Sequence, residues 1–161
     1  FKSVFLRRAS DLNHERTQLL NEADSHAAGG IIPLRQILCA LLKPGLSWSF
    51  DAGERGLFVQ FLIRCQTDRE SPLHELLYKD TGHLHQFIPH IQRALPELPI
   101  EEIYWRMHFT LGAYHYTITD LTRLKHISEE LCDISNFDQT LARIISFAEA
   151  GFRMPVDRKH L

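Results

Sequence analysis

The stretch Pro99–Thr119, PIEEIYWRMHFTLGAYHYTIT, constrains the fold more than any other part of the chain. Its interior holds no proline, and Glu101 and Glu102 stand in the first turn, where carboxylates suit the positive end of a helix dipole. Ile103, Met107, Leu111, Tyr114 and Ile118 form one apolar stripe at helical spacing. Trp105, Phe109, Gly112 and Tyr116 form a second, and Tyr104, His108, Leu111 and His115 lie between the two. A helix covering a core from outside needs one such stripe; a helix apolar nearly all round is buried, or is shared between two surfaces. This helix therefore needs a second cover: a partner subunit, a ligand cavity, or both.

The rest of the chain reads as helices separated by breakers, with no strand pattern. The first helix is expected over about Lys2–Glu22, ending before Ala27-Ala28-Gly29-Gly30. Its apolar spacing (Val4, Phe5, Leu12, Leu19) is already running at the first residues without a cap, so the natural protein is expected to continue upstream. The second starts at Pro33 and is expected to stop at Pro44-Gly45, leaving Trp48 and Phe50 in a loop. The third covers Glu54 to Cys65, and the fourth runs from Ser71-Pro72 to Leu95 with a kink or a break into two helical pieces at Pro89. Beyond the long helix, Leu121–His126 should fray and residues 127–135 form a loop. Ser135 with Asp138 approximates a capping box for the last helix, which Gly151 should end. The tail from Met154 to Leu161 is expected to be frayed. The expectation is one all-α domain, residues 1–161, of about six helices.

Several function classes fall away. At 161 residues the chain can bury a sizeable core. A net charge of −2, with basic residues scattered apart from Arg7-Arg8 and Arg158-Lys159, gives no electrostatic footprint for nucleic acid. No apolar run approaches the ~20 residues of a membrane span, and no signal peptide is visible. Cys39, Cys65 and Cys132 are odd in number and far apart, which points to free thiols in a reducing cytoplasm. A nucleophile elbow, a phosphate-cradling glycine loop and a His-Glu metal helix are all missing, so no catalytic residue, cofactor or enzymatic activity is expected.

The 10 histidines invite a metal reading. His83, His85 and His90 are the densest group, but residues two apart on a helix diverge. His108 and His115 share a face yet lie about two turns apart, too far for one ion without a third ligand between them. No carboxylate or thiol completes either set, and no metal is expected.

The aromatic surplus is the stronger lead. Trp48, Phe58, Phe61, Phe87, Tyr104, Trp105, Phe109 and Tyr114 come from four segments, with Arg64, His108 and His115 interleaved. For any one of them a packed core is the plain alternative. Together, an apolar lining with a few polar tips suits a small-molecule cavity between helices, of roughly 300–1,000 Å³. Arg64 or His108 would then meet the polar head of a greasy ligand. Gly112 carries a separate signal: a mid-helix glycine costs about 1 kcal/mol relative to alanine. Close approach of another backbone would compensate, and the last helix, with Ala142 and Ala148 among larger apolar residues, offers a matching surface. Two such helices from each of two copies would close a four-helix bundle.

The segments IEEIYWRMHFTLGAYHYT and FDQTLARIISFAEAGFRMP resemble the C-terminal domain of tetracycline-repressor-type (TetR-family) transcriptional regulators. The opening FKSVFLRRASDLNHERTQLL is similar to the helix that connects that domain to a DNA-binding headpiece. The most specific matches are Trp105-Arg106-x-His108-Phe109-x-x-Gly112 and Phe147-Ala148-x-x-Gly151-Phe152-Arg153-x-Pro155. They are similar to a subgroup that includes regulators answering to fatty acids or acyl-CoA.

The resemblance implies an all-helical, cytoplasmic homodimer that pairs through its last two long helices and holds an inducer. Inducer binding shifts the connecting helix and releases operator DNA, a repressor's mechanism. The helix-turn-helix headpiece is missing from this sequence, so operator binding is expected only through a segment outside it, and no membrane partner is implied. Mapped onto these residues, the ligand site is expected to use Tyr104, His108, Leu111 and His115, opposite Phe61, Arg64, Leu84 and Phe87, with Trp48 as a lid. The dimer face is expected to use Gly112, Tyr116, Thr119, Phe137, Leu141, Ile144, Ile145 and Ala148. Two other readings remain: a helical metal-binding or enzymatic bundle built on the histidines, and a dimerising scaffold without ligand.

Overall fold

The computed structural model describes residues 2–156, and among them the chain forms nine helical segments and no strand. The first, α1 (Lys2–Ala27), is longer than its apolar pattern suggests. Only Phe5, Leu12, Arg16 and Leu20 are buried along its 26 residues, so it lies across the domain along a narrow seam. It ends where Ala28 and Gly29 take positive φ (49° and 85°) and Gly30 sits too close to the Ala27 carbonyl to carry a Cβ.

The second helix, α2 (Leu34–Ser49), is the centre of the molecule. Ile37, Leu38, Leu41, Leu42 and Leu46 are fully enclosed, because the helix is covered by α1 on one side and by later helices on the others. Pro44-Gly45 does not end it; the helix runs through to Ser49 and carries Trp48 inside it rather than in a loop. Proline normally interrupts a helix by removing a donor and clashing one turn back, at about 3 kcal/mol. Burial on nearly every face outweighs that local penalty here.

The third, α3 (Glu54–Thr67), follows the expected bounds closely. The expected fourth helix is instead three pieces: α4 (His74–Lys79), α5 (Gly82–His85) and α6 (Ile88–Ala94). Pro89 does not kink a helix but stands in the first turn of α6, where its missing N–H needs no partner. The long helix is α7 (Ile100–Thr119). Residues expected to fray form α8 (Leu121–Ile127), started by the Asp120 carboxylate accepting from the Arg123 N–H at 3.1 Å.

The last helix, α9 (Phe137–Arg153), is capped by Asn136, whose side chain accepts from the Gln139 N–H at 3.0 Å. Ser135 instead turns to Asp133, its hydroxyl donating at 2.6 Å. Gly151 lies within α9, which ends two residues later at Arg153. The frayed tail expected after Met154 lies, beyond Val156, outside the described residues.

The main core joins α1, α2, α3, α6, α7 and α9. A smaller cluster of Phe5, Cys65 and Leu73, flanked by Phe58 and Phe61, ties the start of α1 to α3 and α4. Two splits in the chain's middle and one extra short helix account for the difference between about six expected helices and nine observed.

Candidate functional site

The stripe Tyr104, His108, Leu111 and His115 runs along α7 from an exposed groove to a buried cluster of polar side chains. The groove, about 610 Å³ and open to solvent, is lined by Ile100, Glu101, Tyr104, Trp105 and His108. The His85 ring on α5 faces Tyr104 edge-on at 6.4 Å. Leu111 is half-buried and packs on the core, as does Leu84 from α5. One turn on, His115 is half-buried beside Tyr114, their ring centroids 5.9 Å apart.

Here α1, α2, α5 and α7 bring polar groups together in the interior. Arg16 on α1 is only 8% exposed. Its guanidinium donates from Nε to the Leu41 carbonyl at 3.0 Å and from Nη1 to Asn13 at 2.9 Å. Tyr114 is 1% exposed, and its hydroxyl makes no hydrogen bond of normal geometry, although Arg16 and the Leu46 backbone approach it. The hydroxyl and Arg16 Nη2 border the same point above Gly45, where a Cβ would lie 2.0 Å from the one and 3.5 Å from the other. Burial raises the Tyr114 pKa, with Arg16 opposing.

His83 on α5 also has a buried, unpaired Nδ1. Burial and then the Arg16 charge push its pKa down to about 4, against the opposing pull of Asp80. The same two causes, burial first, lower His115. Both imidazoles are therefore neutral at pH 7, and Arg16 is the cation at this spot. Next to them Gln86 donates to Thr17 at 3.0 Å and to the His83 carbonyl at 2.9 Å, tying α5 to α1.

The other residues expected at a ligand site are spread more widely. Phe87 is wholly enclosed in the core. Trp48 is buried too, its indole N–H donating to Glu15 at 3.1 Å with the Arg55 guanidinium 5.0 Å from its ring. Phe61 belongs to the small cluster around Phe5, at an edge-on ring distance of 5.4 Å, and Arg64 is exposed on α3. Of the ligand residues named from sequence, the structure places Tyr104 and His108 on the groove, Leu111 and His115 further along the same face of α7, and Leu84 against the core from α5. It adds Arg16, Tyr114 and His83. The signal for Arg16 was available: Leu12-Arg16-Leu20 places a charge on the apolar seam of the first helix, at core spacing. Among the described residues no group of three His, Cys, Asp or Glu is arranged to hold a metal ion.

A second surface adjoins the groove on α7 and shares Trp105 with it. Trp105 (50% exposed), Phe109 (63%) and Tyr116 (56%) stand in the open, with Gly112 and Thr119 completing a stripe at alternating spacings of four and three. Trp105 stacks on Phe109 at 5.7 Å. A Cβ at Gly112 would meet nothing within 4 Å. Next to this stripe α9 exposes Phe147, 67% accessible, with Ala142 and Ala150 also on the surface. Ile144, Ile145 and Ala148 are buried in the chain's own core, where α9 packs on α2. Phe137 packs edge-on against Phe50 at 5.7 Å and Leu141 is half-buried.

Arg106 fixes α7 to the end of α9. It pairs with Glu102 at 3.1 Å and donates to the carbonyls of Phe152 at 2.8 Å and Met154 at 2.5 Å. The two segments that carry the most specific resemblance, around Arg106 and around Gly151-Phe152, are thus in contact. Residues 39–151 match the family described as tetracyclin repressor-like, C-terminal domain. The chain belongs to this family. It is a TetR-type transcriptional regulator's all-helical C-terminal domain, and no curated protein matches it beyond that. The match begins within α2 and ends at Gly151, so it takes in the central helix, the α7 stripe and the α9 surface. Among the described residues, no helix is long and apolar enough to cross a membrane.

Proposed function

We propose that this TetR-family domain is the effector-binding and dimerisation part of a regulator, a repressor, whose headpiece lies outside this sequence. A second copy covers the α7–α9 surface, and a small, mostly apolar or amphipathic effector of fatty-acid or acyl-CoA type binds along the Tyr104–His115 stripe. Operator DNA is reached only through the headpiece, in the cytoplasm. The domain itself is not an enzyme.

The observation that carries this reading is the exposed stripe of Trp105, Phe109, Gly112 and Tyr116 beside Phe147. Large aromatics at coiled-coil spacing, around a glycine with open space where its side chain would be, suit a facing helix better than water. The effector half of the reading is supported by the groove that shares α7 and Trp105 with that stripe. A ligand that runs along the stripe from the groove to His115 reaches the region of Arg16 on α1 and changes the setting of α1 relative to the dimer axis.

The test is sedimentation of the wild-type chain and of Phe109→Glu, with a thermal-shift screen of fatty acids, acyl-CoAs and aromatic drugs. A wild-type dimer, a monomeric variant and stabilisation by a greasy ligand are the expected results. At about 100 times its dissociation constant, a ligand that binds only the folded state adds about 2.7 kcal/mol. A wild-type monomer overturns the dimer. A dimer that no compound stabilises is a scaffold instead.

A further inference from the structure

The groove at the start of α7 has the volume of a small-molecule site but not its enclosure. At about 610 Å³ it falls within the roughly 300–1,000 Å³ that such sites occupy, yet it lies open to solvent. A bound molecule is ordinarily buried over ~70–90% of its surface. Here every lining residue, Ile100, Glu101, Tyr104, Trp105 and His108, comes from one helix, which supplies a floor and no roof. We propose that the second copy of the chain that covers the α7 stripe also roofs this groove, so that the apolar part of the effector is enclosed between two subunits. This rests on the effector-binding and dimerisation readings above and adds that the two events are linked.

The chain's own helices leave the roof missing. At one edge α5 comes near, its His85 ring 6.4 Å from Tyr104. The end of α9 is held on another face of α7 by Arg106, which follows Trp105 and so stands about 100° round the helix from it. Glu101, Tyr104 and His108 lie about 40–100° from Trp105 in the opposite direction. The chain's own α9 is therefore turned away from the groove. Trp105 lines the groove and also begins the exposed stripe of Phe109, Gly112 and Tyr116. It stacks on Phe109 at 5.7 Å, so apolar surface passes from groove to stripe without a break. Ile100 and Tyr104, 43% and 47% exposed, extend it on the groove side. A continuous patch of this kind marks an interaction surface. A helix is about 10–12 Å across with its side chains, so one laid on the stripe overhangs the adjoining face and the open side of the groove.

The energetic consequence is reciprocal. A ligand roofed by the second subunit binds the dimer better than the monomer, and it must strengthen the dimer by the same factor for each site filled. A symmetric dimer has two such grooves. A tenfold preference per site therefore tightens the dimer about a hundredfold when both are occupied.

The probes are decanoate, decanol and decanoyl-CoA, each titrated into wild type by calorimetry and tryptophan fluorescence. Protein concentration is varied from below to above the dimer dissociation constant, and sedimentation is run with and without each probe. Phe147→Glu on α9 and Tyr116→Glu, about three turns from Trp105, serve as interface variants; both residues are exposed and neither lines the groove. A probe that binds should do so at least about tenfold more tightly in the dimeric range, and should tighten the wild-type dimer by about the square of that factor. Both variants should bind at the weak, monomer level. The dilution series needs no substitution, so it decides the matter should a variant fail to fold or stay dimeric. Equal affinity in monomer and dimer, with the dimer constant unchanged, overturns the shared roof and leaves the effector and dimer readings standing. A probe that loosens the dimer also overturns it. Binding of no probe at any protein concentration overturns the effector reading together with this one. A wild type that stays monomeric with saturating probe overturns the dimer reading together with it.

Discussion

Gly45 lies where α2 and α7 come closest, and its lack of a side chain is a packing requirement. In an ordinary helix Gly→Ala stabilises by about 1 kcal/mol. Here the added methyl would sit 2.0 Å from the Tyr114 hydroxyl, in a core with no room to yield. Overpacking of that kind costs about 1–3 kcal/mol and wins over propensity. Gly45→Ala should therefore destabilise the chain in denaturant titrations, and adding Tyr114→Phe should recover part of the loss because the two sites are in contact. Additive effects in the double variant would disprove the contact. His83 supplies a pH test at the same scale. Its folded pKa of about 4 lies below the ordinary value of 6.5, so on acidification the unfolded chain takes up the proton first. Its contribution is fully present above about pH 6.5 and is lost as pH falls toward 4. His115 acts in the same direction. Because the His83 ring is partly wet, the loss should be about 1–2 kcal/mol rather than the full shift. Urea titrations at pH 7 and pH 4.5 should show a smaller drop for His83→Gln than for wild type, and equal drops would contradict the depressed pKa.

At the scale of elements, local signals and tertiary packing contend, and α9 shows how a small difference can be tested. A capping-box pattern places the start of this helix at Ser135, but Asn136 makes the bond to the Gln139 N–H while Ser135 is engaged by Asp133. Asn136→Ala should cost about 1 kcal/mol in thermal stability and Ser135→Ala only a few tenths. The reverse order would restore the sequence-based cap. Legibility followed the same division. The long helix was readable to within a residue because Pro99, the paired glutamates and the stripes of Ile103 and Trp105 all agree. The end of α2 was not, because Pro44-Gly45 is a strong local stop signal that burial from several sides overrides. Trp48 was displaced from loop to core by that one misplaced boundary. Pro89 was read as a kink or a single break because nothing in its neighbourhood reveals that both Asp80-Thr81 and Gln86-Phe87 interrupt the helix. Within the site, the α7 stripe was legible from period alone. Tyr114, counted among the core residues, could not be recognised as a donor without knowing that Arg16, ninety-eight positions earlier, meets it over Gly45.

At the scale of the whole molecule, α7 carries two adjoining surfaces: a groove at Tyr104, Trp105 and His108, and an exposed aromatic stripe of Trp105, Phe109 and Tyr116. Gly112 gives a test of the second surface whose sign depends on association. Within one chain a Cβ at Gly112 meets nothing, so Gly112→Ala should gain helix propensity and stabilise a monomer by up to about 1 kcal/mol. In a dimer whose α7 helices approach closely at that glycine, the same methyl pushes the backbones apart and weakens association. Dimer stability rises with protein concentration by mass action, so the two effects separate experimentally. Melting curves at low micromolar concentration, below the dissociation constant, should put Gly112→Ala above wild type. At concentrations where wild type is fully dimeric, the order should reverse, and sedimentation should show a weaker dimer for the variant. Stabilisation by Gly112→Ala at every concentration would mean that no backbone comes near the glycine, and Trp105, Phe109 and Tyr116 would then need a cover other than a second copy of α7.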